Sequence, residues 1–202
     1  MLRGIMGVLL LAQISSCAAE VRPASQELSL INIRQDQVLL VGKIELHPPL
    51  RGDEQVLKTY RGEGLKNNFI LYCGNRFREL KESISPDFNG TFDTTLEQEF
   101  FIKIKKDKTA YVSGGFFYTV YDPPTNVKLS PLFNSPLQLA LKPDDEAVYI
   151  GTIQYNRDKD NHLTSVTIQD DFKKADARFK MHFGTAKTLR KSLATPAAVV
   201  KK

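Results

Sequence analysis

Histidine and cysteine are the residue types best suited to bind a transition metal or to attack a substrate. His47, His162 and His182 are scattered along the chain, and none has a second ligand at the short spacing typical of zinc sites. Cys73 ends an apolar run, residues 69–72, where cysteine is typically a small buried side chain. No motif for a base or an oxyanion hole accompanies it. We therefore predict a structural thiol and no metal or cofactor.

Acidic side chains alternate at one point in the manner of a calcium loop. Asn156, Asp158 and Asp160 occupy alternate positions, but Asn161 stands where an EF-hand needs glycine, and Thr167 stands where it needs a bidentate acid. A solvated hairpin turn explains the segment better, and weak calcium binding is the alternative.

Four aromatic residues, Phe116, Phe117, Tyr118 and Tyr121, lie close together in one segment. Strand alternation sends Phe116 and Tyr118 to one face, and Phe117 and Tyr121 to the other. One set belongs to the core. The other set is either routine packing or the lining of a groove that binds a protein partner.

The N-terminus carries the features of an export signal. Arg3 precedes an apolar run at residues 5–11, which is too short to span a bilayer of about 30 Å. The run is followed by Ile14-Ser15-Ser16-Cys17. This segment resembles the lipobox of bacterial lipoproteins, although the family prefers Leu at the first position and Gly or Ala before the cysteine.

The resemblance implies that a dedicated signal peptidase cuts before Cys17 and that Cys17 carries acyl chains. Three chains would anchor the protein permanently in a membrane. In enterobacterial lipoproteins a residue other than Asp after the cysteine favours the outer membrane, and Ala18 fits that preference. The alternative is cleavage by the general signal peptidase, for example after Ala18, with Cys17 discarded. If Cys17 is acylated, Cys73 has no disulfide partner, because the chain has two cysteines.

The positive charge of the chain is concentrated at its end. The whole chain carries +5, of which residues 184–202 contribute +5 and Arg3 contributes +1, so residues 17–183 carry −1. A nearly neutral domain gives no support to nucleic-acid binding.

Strand-like patterns dominate the chain between these termini. Alternation marks residues 37–47, 98–105, 111–121, 137–142, 147–155 and 162–169, and residues 69–73 are apolar on both faces. A helix is indicated at 171–183, capped by Asp170 or Asp171 and ended by Gly184. We predict an all-β fold, a β-sandwich or small barrel, mostly antiparallel, with one C-terminal helix.

The predicted organisation is a signal peptide at 1–16, a lipidated tether at 17–26, a β-rich domain at 27–183 and a basic, disordered tail at 184–202. The tail is either a solvated end or a contact with anionic lipid. A third possibility is peptidoglycan attachment, because Lys201-Lys202 resembles the end of the major outer-membrane lipoprotein.

These features favour a lipid-anchored protein of the cell envelope that acts as a non-enzymatic binding or assembly module, with an envelope protein as its partner. Two alternatives stay open. One is a carrier that holds a small apolar ligand in a β-barrel, and the other is an envelope enzyme whose carboxylates only the fold brings together.

Overall fold

The computed structural model of the chain describes residues 22–23, 33–57, 59, 62–77, 79, 90–121, 126–185 and 187–197, with backbone only at 22–23, 118–121 and 126–132. Within these residues the elements follow in the order β1 (Arg22–Pro23), β2 (Gln37–His47), α1 (Gly52–Gln55), a 3-10 turn (Leu65–Asn67), β3 (Phe69–Gly74), β4 (Thr91–Thr94), β5 (Glu99–Lys105), β6 (Thr109–Tyr121), β7 (Asn126–Ala140), β8 (Ala147–Arg157), β9 (Leu163–Gln169), α2 (Phe172–Phe183), β10 (Leu189–Lys191) and β11 (Thr195–Pro196).

The strands form two sheets, so the fold is an open pair of sheets and not a closed barrel. The first sheet has the order β1-β4-β3-β6-β7-β11, and its strands are antiparallel apart from the two-residue pairing of β1 with β4. The second sheet is mixed. Its strand β2 pairs antiparallel with β5 and parallel with β8. The first residues of β8 also pair parallel with β10, and its later residues pair antiparallel with β9. The predicted β-rich class with a C-terminal helix is confirmed.

The main core lies between the two sheets. Strand alternation directs the apolar side chains of β2, β5 and β8 toward those of β3, β6 and β7. Four rings, Phe69, Phe117, Phe133 and Tyr155, pack with centroids 5.2 to 6.2 Å apart. The hydroxyl of Ser135 donates to the Tyr155 hydroxyl oxygen at 3.0 Å. This interior is filled by its own side chains.

The space beside one ring is available only because position 115 is glycine. A Cβ on Gly115 would lie 2.2 Å from Cε1 of Phe69. The pairing of β6 with β7 is also irregular next to it, between Val112 and Gly114, as is common where glycines interrupt a strand.

A second core lies on the outer face of the mixed sheet, under α2. The apolar face of the helix, with Phe172, Ala175, Phe179 and Phe183 at helical spacing, packs there against side chains that include Tyr149 and Phe101. The helix begins after Asp171 and ends at Gly184, whose φ of +73° suits glycine. Asp170 Oδ1 accepts the Phe172 N–H at 3.1 Å, so a side chain near the predicted cap satisfies one free donor.

The predicted disorder of the tail is wrong for residues 187–197. Strand β10 pairs parallel with β8 in the mixed sheet, and β11 pairs antiparallel with β7 in the other sheet. Leu189 and Ala194 are buried. Strands of two and three residues are too short to show periodicity, and their stability comes from edges that other parts of the chain provide. Residues 198–202, with Lys201 and Lys202, lie outside the described residues.

Candidate functional site

The strongest candidate site is an open cleft of about 480 Å³ where one edge of each sheet approaches the other. The end of β3, the start of β4 and the last residues of β5 surround it. Its lining in the described residues is Tyr72, Cys73, Gly74, Asn75, Arg76, Gly90, Phe92, Lys103, Ile104 and Lys105. These ten residues include three cations and no carboxylate.

The floor of the cleft is the end of the main core. Cys73 and Ile104 belong to that core, and Phe92 packs against it. The Cys73 N–H donates to the Gly90 carbonyl at 2.8 Å, which extends the contact between β3 and β4 into the turn. Cys73 is 1% exposed, and burial raises the pKa of its thiol, so the predicted role as a structural residue fits its position.

The positive charge of the cleft lies at its rim. Lys103 and Lys105 alternate with Ile104 in β5, so their side chains leave the strand on the side opposite the core. Lys105 and Arg76 are exposed, and Lys103 is half-buried. No spacing pattern in the sequence marks these three cations, because residues 76 and 103 come together only through the approach of two sheets.

A second cleft, of about 330 Å³, lies at the turn after β5 and has mixed charge. Asp36 and Asp107 line it together with Lys106, Lys108 and Lys142. Acids and bases here neutralise one another locally, which distinguishes this cleft from the first.

The most densely bonded polar group is the buried guanidinium of Arg157, at the end of β8. It donates to Glu54 Oε1 at 2.6 Å and Oε2 at 2.8 Å, to the carbonyls of Pro48 at 3.0 Å and Pro49 at 2.9 Å, and to Asn161 Oδ1. An arginine has five N–H donors, and each of these five contacts takes one. No donor remains for a ligand, so this cluster fastens the α1 segment to the sheet.

The carboxyl group of Glu54 is held in its ionised form by that guanidinium. Burial alone would raise the pKa of Glu54, but hydrogen bonds from Arg157 and from the Arg51 N–H, with the charge of Arg157, lower it below its ordinary value of 4.5. Arg190 and Asp145 form a similar pair between β10 and the turn before β8. Burial alone would raise the pKa of Asp145 as well. The hydrogen bond and the charge of Arg190 outweigh this effect, so the pKa of Asp145 is lowered.

The turn between β8 and β9 is the one group of possible metal ligands in the described residues. One ligand atom each from Asp158, Asp160 and His162 lies within 4.8 Å of the others. Asp158 Oδ1 already accepts the N–H groups of Asp160 at 2.8 Å and His162 at 2.9 Å, and these bonds shape the turn. The group is exposed, so a solvated turn accounts for it.

The other candidate ligands do not lie at this turn. The Asn156 amide donates to Ser165 and Thr167 on β9 instead. His47 ends β2, and His182 packs edge-on against Phe101 under α2, with ring centroids 5.3 Å apart.

The aromatic segment lies in β6. Phe117 is fully buried in the main core, and Phe116, on the opposite face, is 3% exposed. Neither presents a free ring to a partner. The side chains of Tyr118 and Tyr121 lie outside the described residues, as does Cys17.

No protein-family model, curated protein or solved structure matches the chain. Within the part of the chain that the structure describes, no helix is long and apolar enough to cross a bilayer.

Proposed function

We propose that the protein is a lipid-anchored, non-enzymatic binding or assembly module of the bacterial cell envelope, sorted to the outer membrane. The observation that carries this proposal is Ile14-Ser15-Ser16-Cys17 directly after an apolar run. A β-rich domain follows at once, because four residues, 18–21, separate Cys17 from β1. This order of signal, acylated cysteine and folded domain is the arrangement of a lipoprotein.

Four carboxyl groups of the domain are suited to structural contacts and not to acid catalysis. A general acid needs a carboxyl whose pKa is raised toward neutrality. Four described carboxyl groups have a pKa that is lowered instead: those of Glu54, Asp145, Asp158 and Asp170. Such groups stay ionised and serve as partners of arginine, lysine or backbone donors. The proposed partner is an envelope protein, with Tyr118 and Tyr121 as the candidate contacts.

No observation among the described residues favours the carrier of an apolar ligand. The rings expected to line its pocket include Phe117, which packs edge-on against Phe69 at 5.2 Å. The larger cleft opens to solvent beside three cations and suits a polar ligand better.

Membrane fractionation of two cysteine variants tests the anchor. Cys17→Ser removes the acylation site and should move the protein out of the membrane fraction or leave it as an uncleaved precursor. Cys73→Ala, in the buried position, is the matched control and should stay with membranes. Equal membrane association of the Cys17→Ser variant as a cleaved protein would overturn the proposal. Crosslinking in intact cells then identifies the partner.

A further inference from the structure

The short tether limits the distance between one edge of the domain and the membrane. The five steps from Cys17 to Arg22 span at most about 18 Å when fully extended. Arg22 pairs with Phe92 through the contact of β1 with β4. Since neighbouring strands are about 5 Å apart, Phe92 lies within about 23 Å of the Cα of Cys17. An anchored Cys17 therefore holds the β1–β4 edge close to the lipid headgroups.

The cationic cleft is at this same edge. Phe92 and Gly90, at the start of β4, form one wall, and β5 forms the other. The opposite edge of the first sheet is β11, four strands beyond β4 in the sheet order. The tether thus keeps Arg76, Lys103 and Lys105 within reach of the membrane.

We propose that this cleft binds the phosphate-bearing headgroup of an anionic lipid in the membrane that anchors the protein. The proposal rests on the proposed function, because it uses Cys17 as the anchor. Arginine binds phosphate through two parallel N–H bonds, and each lysine or arginine near an anionic surface adds to the attraction. The lining has no carboxylate among its described residues to repel the phosphate.

Several basic side chains elsewhere in the described residues have an acidic partner. On α2, Arg178 pairs with Glu99 and Lys180 with Asp176. Further on, Lys191 pairs with Asp170. These acids offset the positive charge where it occurs.

Hydrogen exchange on the mature, lipidated protein in nanodiscs tests the proposal. One set of discs contains phosphatidylglycerol, and the other contains phosphatidylcholine alone. We expect several-fold slower exchange at residues 74–76 and 105 in the phosphatidylglycerol discs. The variant Arg76→Gln/Lys105→Gln should lower the docking equilibrium about 25-fold, about fivefold for each exposed cation. Its exchange should then match that in phosphatidylcholine.

The matched control is Lys159→Gln/Lys174→Gln, which removes the same charge from side chains that are 87% and 81% exposed. It should keep the protection seen with phosphatidylglycerol. Equal exchange in both kinds of disc, or equal loss of protection in the control, would overturn the proposal. Protection by inorganic phosphate in phosphatidylcholine discs, without any added effect of phosphatidylglycerol, would assign the cleft to a free anion and also overturn it.

Chemical tethering separates this proposal from the question of acylation. Protein coupled at Cys17 to a maleimide lipid has the same tether, whether or not cells acylate it. The buried Cys73 thiol, with its raised pKa, reacts poorly and leaves the coupling selective for Cys17. If cells leave Cys17 unmodified, the proposed function fails, and the tethered protein still reports on the cleft.

Discussion

Replacement of Arg157 by methionine should destabilise the protein strongly. Arg157 is 4% exposed, and methionine fills much of its volume but donates none of the five hydrogen bonds. Glu54, itself 5% exposed, would keep its charge and retain as an ion-pair partner only the guanidinium of Arg51, which is 3.2 Å from Oε1 and 40% exposed. Loss of one partner of a buried ion pair costs about 3–5 kcal/mol. For a chain of this size, that loss lowers the melting temperature by about 6–20 °C.

Urea unfolding followed by circular dichroism measures this cost, and a double-mutant cycle isolates the pair. The variant Glu54→Gln/Arg157→Met lacks the buried charge as well, so it should be more stable than the sum of the two single changes predicts. Limited proteolysis should also cut the α1 segment first in Arg157→Met, because Pro48 and Pro49 lose their donor. If Arg157→Met lowers the free energy of unfolding by less than about 1 kcal/mol, Arg157 does not hold the α1 segment against the sheet.

Three further outcomes follow from the same structure. Because the pKa of Glu54 is lowered in the fold, the stability from its ionised form is present above its ordinary value of 4.5 and is lost as the pH falls from there through the lower pKa of the folded state. The unfolding free energies of the wild type and Glu54→Gln should therefore converge as the pH falls through this range, and a constant difference would contradict this. Gly115→Ala should cost about 1–3 kcal/mol in urea unfolding because its Cβ would meet Phe69, whereas Gly74→Ala, with nothing within 4 Å, should stay within about 0.5 kcal/mol; equal costs would be inconsistent with the packing. In Cys17→Ser protein, a thiol reagent should label Cys73 only as fast as the domain unfolds, and rapid labelling in native buffer would show that the thiol is accessible.

Local patterns were sufficient to predict most of the elements. The stripe of Phe172, Ala175, Phe179 and Phe183 and the glycine at 184 predicted α2 almost to its ends, because capping and helical spacing are local properties. The hairpin of β8 and β9 was likewise predicted, since its polar turn separates two alternating segments. These predictions needed no knowledge of distant contacts.

The parts that depend on distant contacts could not be predicted. The parallel pairing of β2 with β8 joins Leu39 to Ala147, and alternation within a strand does not identify its neighbour. The pair of Arg157 and Glu54 spans 103 residues, and the cationic cleft likewise joins two sheets. Carboxylates and guanidiniums that meet in this way leave no spacing pattern in the sequence.

Mass spectrometry of the N-terminal peptide, from protein purified out of the native envelope, tests the central claim most directly. The account predicts a mature chain that begins at Cys17 and carries a diacylglyceryl group and an amide-linked acyl chain. A chain that begins after Cys17, for example at Ala19, or one with an unmodified Cys17, would contradict the claim that the domain is anchored by lipid.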